Sequence, residues 1–143
     1  MNSPGAKATV LVVEDDPRLL SLLERMLASG GFEPFTADSA ADGLAMVRDR
    51  QGQFDLAILD MVMPGMSGLD LATELVRDYP QLKILYISGY VGSLAADAIT
   101  RRTPERVLLK PFNEHALLHR VRMLLNIPEP REPARTAGDG SQG

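Results

Sequence analysis

The sequence predicts an α/β fold, a doubly wound five-stranded parallel sheet with helices on both faces. Three observations lead there. Five short apolar runs rich in branched residues alternate with stretches whose apolar residues recur at helical spacing. Four of those runs break off abruptly at an acidic, hydroxyl or lysine residue. A chain of 143 residues, 45% hydrophobic and 24% charged, suits one ordinary globular domain that buries about two-thirds of its surface.

Residues 8–13 (ATVLVV) read as a strand buried on both faces, stopping at Glu14-Asp15-Asp16. Asp16 caps the next helix and Pro17 suits its first turn, where a missing N–H costs nothing. Leu19, Leu23, Met26 and Leu27 share one face of this helix, which Gly30-Gly31 ends. Residues 32–37 form a second strand, and Pro34 places it at an edge. Ser39 opens a helix carrying Leu44, Met46 and Val47 to about residue 51. Residues 54–59 (FDLAIL) form strand three, ending at Asp60, before a turn containing Pro64, Gly65 and Gly68. Ser67 caps a third helix that Pro80 closes. Strand four, residues 82–87 (LKILYI), runs into Ser88-Gly89. An alanine-rich helix from about Ser93 stops before Pro104, and residues 106–109 form strand five, ending at Lys110-Pro111. Asn113 caps the last helix, which runs to about Asn126.

Composition excludes several classes of function. There are no cysteines, hence no disulfide frame, thiolate metal site or cysteine nucleophile. No apolar run approaches the ~18–20 residues of a membrane-spanning helix, and the first seven residues lack a signal peptide's apolar core, so a cytoplasmic location without membrane contact is expected. With 15 basic and 19 acidic residues the net charge is −4, which argues against direct DNA binding. Residues 127–143 are rich in Pro and Gly and offer nothing to bury beyond their start; a disordered tail is expected there, as over residues 1–7, leaving 8–126 as the domain.

The chemistry lies at the strand ends. In an open parallel sheet the residues following the strands share the carboxyl edge, where ligands bind. Glu14, Asp15, Asp60, Ser88 and Lys110 are therefore delivered to one crevice. Clustered carboxylates repel unless a cation joins them. A hard divalent ion such as Mg²⁺, which takes one or two carboxylates and keeps several waters, fits this donor set. Metal, ammonium and hydroxyl around a carboxylate suit a phosphoryl group, and a carboxylate can itself be the nucleophile that accepts one. Asp60, alone after the central strand, is the natural acceptor. Taken singly, an acid at a strand end is as well explained by a helix cap; the combination is not.

These residues resemble the receiver domains of two-component response regulators, through VLVVEDD (10–16), LDMVMPGMSG (59–68), ISG (87–89) and LKPF (109–112). The resemblance covers about residues 8–126 and implies the flavodoxin-like strand order 2-1-3-4-5 with five helices. It makes Asp60 the phosphoacceptor. It gives Asp15, Asp60 and the backbone carbonyl of Val62 to Mg²⁺, with Glu14 acting through water, and it makes Ser88 and Lys110 the hydroxyl and ammonium that meet the phosphoryl group. It implies a cis Lys110-Pro111 bond. The implied donor is a phosphohistidine on a histidine kinase or a histidine phosphotransfer protein, and the output is contact with a downstream protein or onward phosphotransfer. Such a domain is a signalling module that catalyses only its own phosphorylation and dephosphorylation.

Two departures matter, one at Val107 and one at the pair Val62 and Tyr90. Val107 stands where the family often has a switch aromatic, so switching is expected to rest on Ser88 and loop movement. Val62 and Tyr90, two residues beyond the acceptor and the hydroxyl, are expected to hinder an attacking water and slow self-dephosphorylation. A haloacid-dehalogenase-like phosphatase is the rival from another class, but it expects a second acid where Val62 stands. A flavodoxin-like FMN-binding module would need a Ser/Thr/Gly-rich loop in place of Glu14-Asp15-Asp16. His115 and His119, spaced i, i+4 with Arg122 and Asn126, read as a solvated helix face rather than a metal grip. The initiator Met1 and the tail favour a stand-alone receiver, whereas Ser88-Gly89-Tyr90 hints at one from a hybrid kinase.

Overall fold

The computed structural model describes residues 6–89, 98 and 101–130. Its chain order is β1 (Thr9–Val13), α1 (Pro17–Ser29), β2 (Glu33–Ala37), α2 (Ala40–Asp49), β3 (Leu56–Asp60), α3 (Gly68–Asp78), β4 (Lys83–Ser88), a 3₁₀ turn (Pro104–Arg106), β5 (Val107–Leu109) and α4 (Glu114–Leu125). The strands form one parallel sheet in the order β2-β1-β3-β4-β5, as the resemblance implied. Most of the expected alanine-rich helix lies outside the described residues; within it, Ala98, Arg101 and Arg102 are helical. Four helices are thus described from end to end, against the five expected.

Side-chain alternation along the strands divides the core in two. Val10, Val12, Ile58, Leu85 and Ile87 face Leu23, Leu27, Leu117 and Val121 of α1 and α4. Leu11, Val13, Leu59 and Ile84 face Val47, Leu71 and Leu75 of α2 and α3. Period-two strands buried on both sides leave no polar face, which is why the runs are continuously apolar. The helix starts rest on local hydrogen bonds. Asp16, Ser39, Ser67 and Asn113 each accept, through the side chain, from a backbone N–H two or three residues on. At the other end of α4, Lys83 Nζ donates to Leu124 O at 2.7 Å, setting a cation on the negative end of the helix dipole. Arg106 belongs to the 3₁₀ turn and not to strand five, because Pro104 begins a turn there.

The turn between β3 and α3 is held close to the sheet. A Cβ on Gly68 would collide with the backbone carbonyl of Asp60, and its amide donates to Met61 O at 3.2 Å. Backbone cannot yield as a side chain can. Gly68→Ala is therefore expected to destabilise by roughly 1–3 kcal/mol. Gly30→Ala should cost less, since its added Cβ meets only the flexible end of Leu118. Urea unfolding of both variants checks the ranking, and an equal or reversed cost would refute it.

Candidate functional site

Register, more than proximity in sequence, assembles the site. Val13 pairs with Leu59, so Glu14 and Asp60 are the next residues on adjacent strands. Asp60 pairs with Ile87 and Ser88 with Leu109, which carries Ser88 and then Lys110 to the same edge. All three residues at the ends of the inner strands are buried: Glu14 is 1% exposed, Asp60 3% and Ser88 1%. Asp15 is exposed beside them. The five residues expected at the carboxyl edge do converge there.

Lys110 is the hub. Its Nζ lies 3.0 Å from Asp60 Oδ2 and 3.5 Å from Glu14 Oε1, and its backbone N–H donates to Ser88 O at 2.8 Å. The Lys110-Pro111 bond is cis, as expected. Burial works against the lysine's charge, but the hydrogen bond and charge of Asp60, then the charge of Glu14, outweigh it and raise the pKa. The ammonium stays protonated. Asp60 Oδ1 accepts from the Val62 N–H at 3.0 Å. The Val62 amide thus orients the carboxylate, a role the sequence reading did not assign.

Glu14 is the unsatisfied member. Its Oε2 accepts from the Asp16 N–H at 3.0 Å, whereas the buried Oε1 has no hydrogen bond, Lys110 lying within ion-pair reach only. Burial, and after it the neighbouring Asp60 carboxylate, push the carboxyl up to about 7 against the opposing effects of the Asp16 amide and Lys110. A proton on Glu14 would let it donate to Asp60; an ionised Glu14 needs another cation.

Mg²⁺ fits this arrangement. One carboxylate oxygen each from Glu14, Asp15 and Asp60 lie within 4.8 Å of one another, and no other such acid or histidine cluster occurs among the described residues. All donors are hard oxygens, and Glu14 Oε1 is buried without a donor.

Other expectations are placed as follows. Asp16 caps α1, as expected. His115 and His119 are exposed on α4. Tyr90 lies outside the described residues, while Val62 is 63% exposed beside the acceptor. Sequence reasoning missed the close approach of Gly68 to Asp60, for which the Pro64-Gly65 and Ser67-Gly68 turn was the available signal. It also missed Glu129, which reaches back to α4 and had no signal in the pattern.

The raised Glu14 pKa sets a pH dependence for the metal-free protein. The group has its ordinary value of 4.5 when unfolded and about 7 when folded, so the native state binds the extra proton between those values. Stability falls as pH rises through that window and levels off above it. Glu14→Gln is expected to stabilise the protein at pH 8 in EDTA by roughly 1–3 kcal/mol and to leave it nearly unchanged at pH 4.5. Thermal unfolding at both pH values measures this. A lower melting temperature for the variant at pH 8 would refute it.

Comparison with known proteins agrees with the geometry. The family model of the response regulator receiver domain matches residues 10–122. The sensor kinase CckA of Brucella abortus is 34% identical over 125 residues, which are 85% of this chain and 13% of that protein. The transcriptional regulatory protein TcrA of Mycobacterium tuberculosis is 34% identical over 138 residues, 91% of this chain and 51% of the regulator. The chain therefore spans about half or less of the length of these relatives. Among solved structures, a CheY-like response regulator receiver domain protein from Methanospirillum hungatei superposes with a TM-score of 0.75 at 27% identity, covering 85% of this chain and 95% of that one. No helix among the described residues is long and apolar enough to cross a membrane. A buried aspartate at the carboxyl edge, a lysine bonded to it and a family match spanning the sheet lead to one conclusion: this chain belongs to the response regulator receiver family.

Proposed function

We propose that residues 8–126 form a receiver that takes a phosphoryl group onto Asp60 from a phosphohistidine of a histidine kinase or phosphotransfer protein. The observation that carries the reading is Asp60 itself. It is 3% exposed, its Oδ2 lies 3.0 Å from Lys110 Nζ, and it belongs to a three-carboxylate cluster. One Asp60 oxygen forms the new P–O bond as the P–N bond of the donor breaks, and the imidazole leaves with the bonding pair and is then neutralised by a proton. Val62 N–H fixes the carboxylate's orientation. Lys110 offsets charge on the phosphoryl oxygens, and Ser88 stands at the adjacent strand end. Asp15, Asp60 and the Val62 carbonyl would hold Mg²⁺, with Glu14 acting through water; the ion supplies positive charge opposite the transferred group.

Neither rival is favoured. Val62, exposed and apolar, offers no general acid to an aspartate-dependent phosphatase, and three acids at the β1 and β3 ends repel a flavin phosphate. The acidic balance of the chain supports a protein as output partner rather than nucleic acid. Signalling then proceeds by protein contact or by onward transfer, in the cytoplasm.

Incubation with acetyl phosphate and Mg²⁺ tests the reading. Intact mass is expected to show one added phosphoryl group, absent in Asp60→Asn and slowed at least tenfold in Lys110→Ala, in keeping with the ~10²–10³-fold effects of removing a charge-stabilising donor. Labelling that persists in Asp60→Asn would overturn the assignment. Because Val62 cannot orient a water, the phosphoryl group should persist well beyond seconds. Decay of the purified phosphoprotein followed by mass spectrometry checks that lifetime.

A further inference from the structure

The last helix carries an arrangement that the acid cluster does not use. His115 and His119 lie one turn apart on α4, both exposed, with rings 18° from parallel and centroids 6.3 Å apart. Behind His119, its Nδ1 lies 2.8 Å from Glu129 Oε2. An ionised carboxylate only accepts hydrogen bonds, so the nitrogen facing it carries the proton, and the Nε2 of a neutral ring keeps its lone pair. A carboxylate on the far nitrogen is the usual support of a metal-binding histidine, fixing its tautomer and raising its basicity as a ligand.

Glu129 is itself held in place. Asn126 takes a left-handed conformation (φ 58°), and the Ile127 N–H donates back to Arg122 O at 2.9 Å, turning the chain against its own helix. Arg122, whose side chain is only 13% exposed, takes the other oxygen of Glu129 at 3.4 Å. The carboxylate that orients His119 is therefore pinned from two sides.

We propose that His115 and His119 form a surface site for a borderline divalent transition cation such as Ni²⁺ or Zn²⁺, with Glu129 orienting His119 and water filling the remaining positions. Spacing i, i+4 sets both rings on one face of the helix. Imidazole suits Zn, Ni and Cu, whereas carboxylate oxygens suit Mg²⁺, so the two ends of the chemistry select different ions. Bringing both Nε2 atoms to the ~2.0–2.1 Å of a metal–nitrogen bond requires a side-chain rotation, which the exposure of both rings permits. No third acid or histidine clusters with the pair among the described residues, so the site is a two-ligand clip, weaker than a four-ligand structural site. Occupancy would fix His119 and so tighten residues 127–130 against α4.

Calorimetric titration of the full, tag-free chain with NiCl₂ in excess Mg²⁺, which keeps the acid cluster saturated, tests the site. One ion per chain is expected, with affinity reduced at least ~10-fold in His115→Ala and His119→Ala and about tenfold in Glu129→Gln. Without metal, all three variants should unfold at the wild-type temperature, because the side chains are exposed. Binding that survives both histidine variants, that disappears instead in Asp15→Asn, or that is absent from the wild type would overturn the proposal. Loss in the histidine variants with no change in Glu129→Gln would overturn the orienting role of Glu129.

Discussion

Glu14 and Asp60 are buried side by side because β1 and β3 are in register, and one ammonium, Lys110, lies between them. Removing a carboxylate from water costs several kcal/mol unless charge and hydrogen bonds compensate. Lys110 and the Val62 amide satisfy Asp60, and what remains for Glu14 is one amide and a lysine too far for a hydrogen bond. The excess negative charge is a property of the fold rather than of a pliable loop. A slip of β1 by one residue would turn Val10 and Val12 away from α1 and α4, exchanging the two cores. Core packing thus holds the carboxylates together against their repulsion, and the charge at Asp60 remains available to a cation and a phosphoryl group.

What the sequence revealed follows the range of the interactions involved. The caps at Asp16, Ser39, Ser67 and Asn113 act over two or three residues, and each was legible. So were the strand ends, where an apolar run meets an acid, and the edge position of β2, which Pro34 signals. The fold class needed only alternation; the strand order came from family resemblance, since periodicity does not encode it. Features set by long-range contact were not legible. Strand three begins at Leu56 rather than residue 54, with the Asp55 side chain accepting from the Thr9 amide of β1 at 2.8 Å. The juxtaposition of Glu14 with Asp60 depends on register, and that of Gly68 with the Asp60 carbonyl on how α3 docks. Residues 131–143 of the expected tail lie outside the described residues, and just before them Glu129 folds back onto His119 and Arg122. Composition alone does not foretell that contact, because it needs a left-handed turn at Asn126.

The same hub limits how a charge change at Asp60 leaves the site. Lys110 joins the ionic centre to the β4–β5 ladder, its ammonium on Asp60 and its amide on Ser88 O. Val107 has no ring to swing and no polar tip. The aromatic at this place is its register partner Tyr86 on β4, packed with Met61, Val107 and Leu69. Val107 O instead accepts from Arg120 Nη1 at 2.6 Å, and the same nitrogen reaches Pro104 O and Glu105 O. Under the proposed phosphotransfer, drawing the Lys110 ammonium from a carboxylate to a phosphoryl oxygen would pull on the backbone of β5, which Arg120 ties to α4. β5 is a three-residue edge strand with few ladder bonds, the kind of element that yields at low free-energy cost. In this chain the contacts that lead from Asp60 towards α4 are a lysine, a backbone and a guanidinium, and the shortest element among them is the edge strand β5.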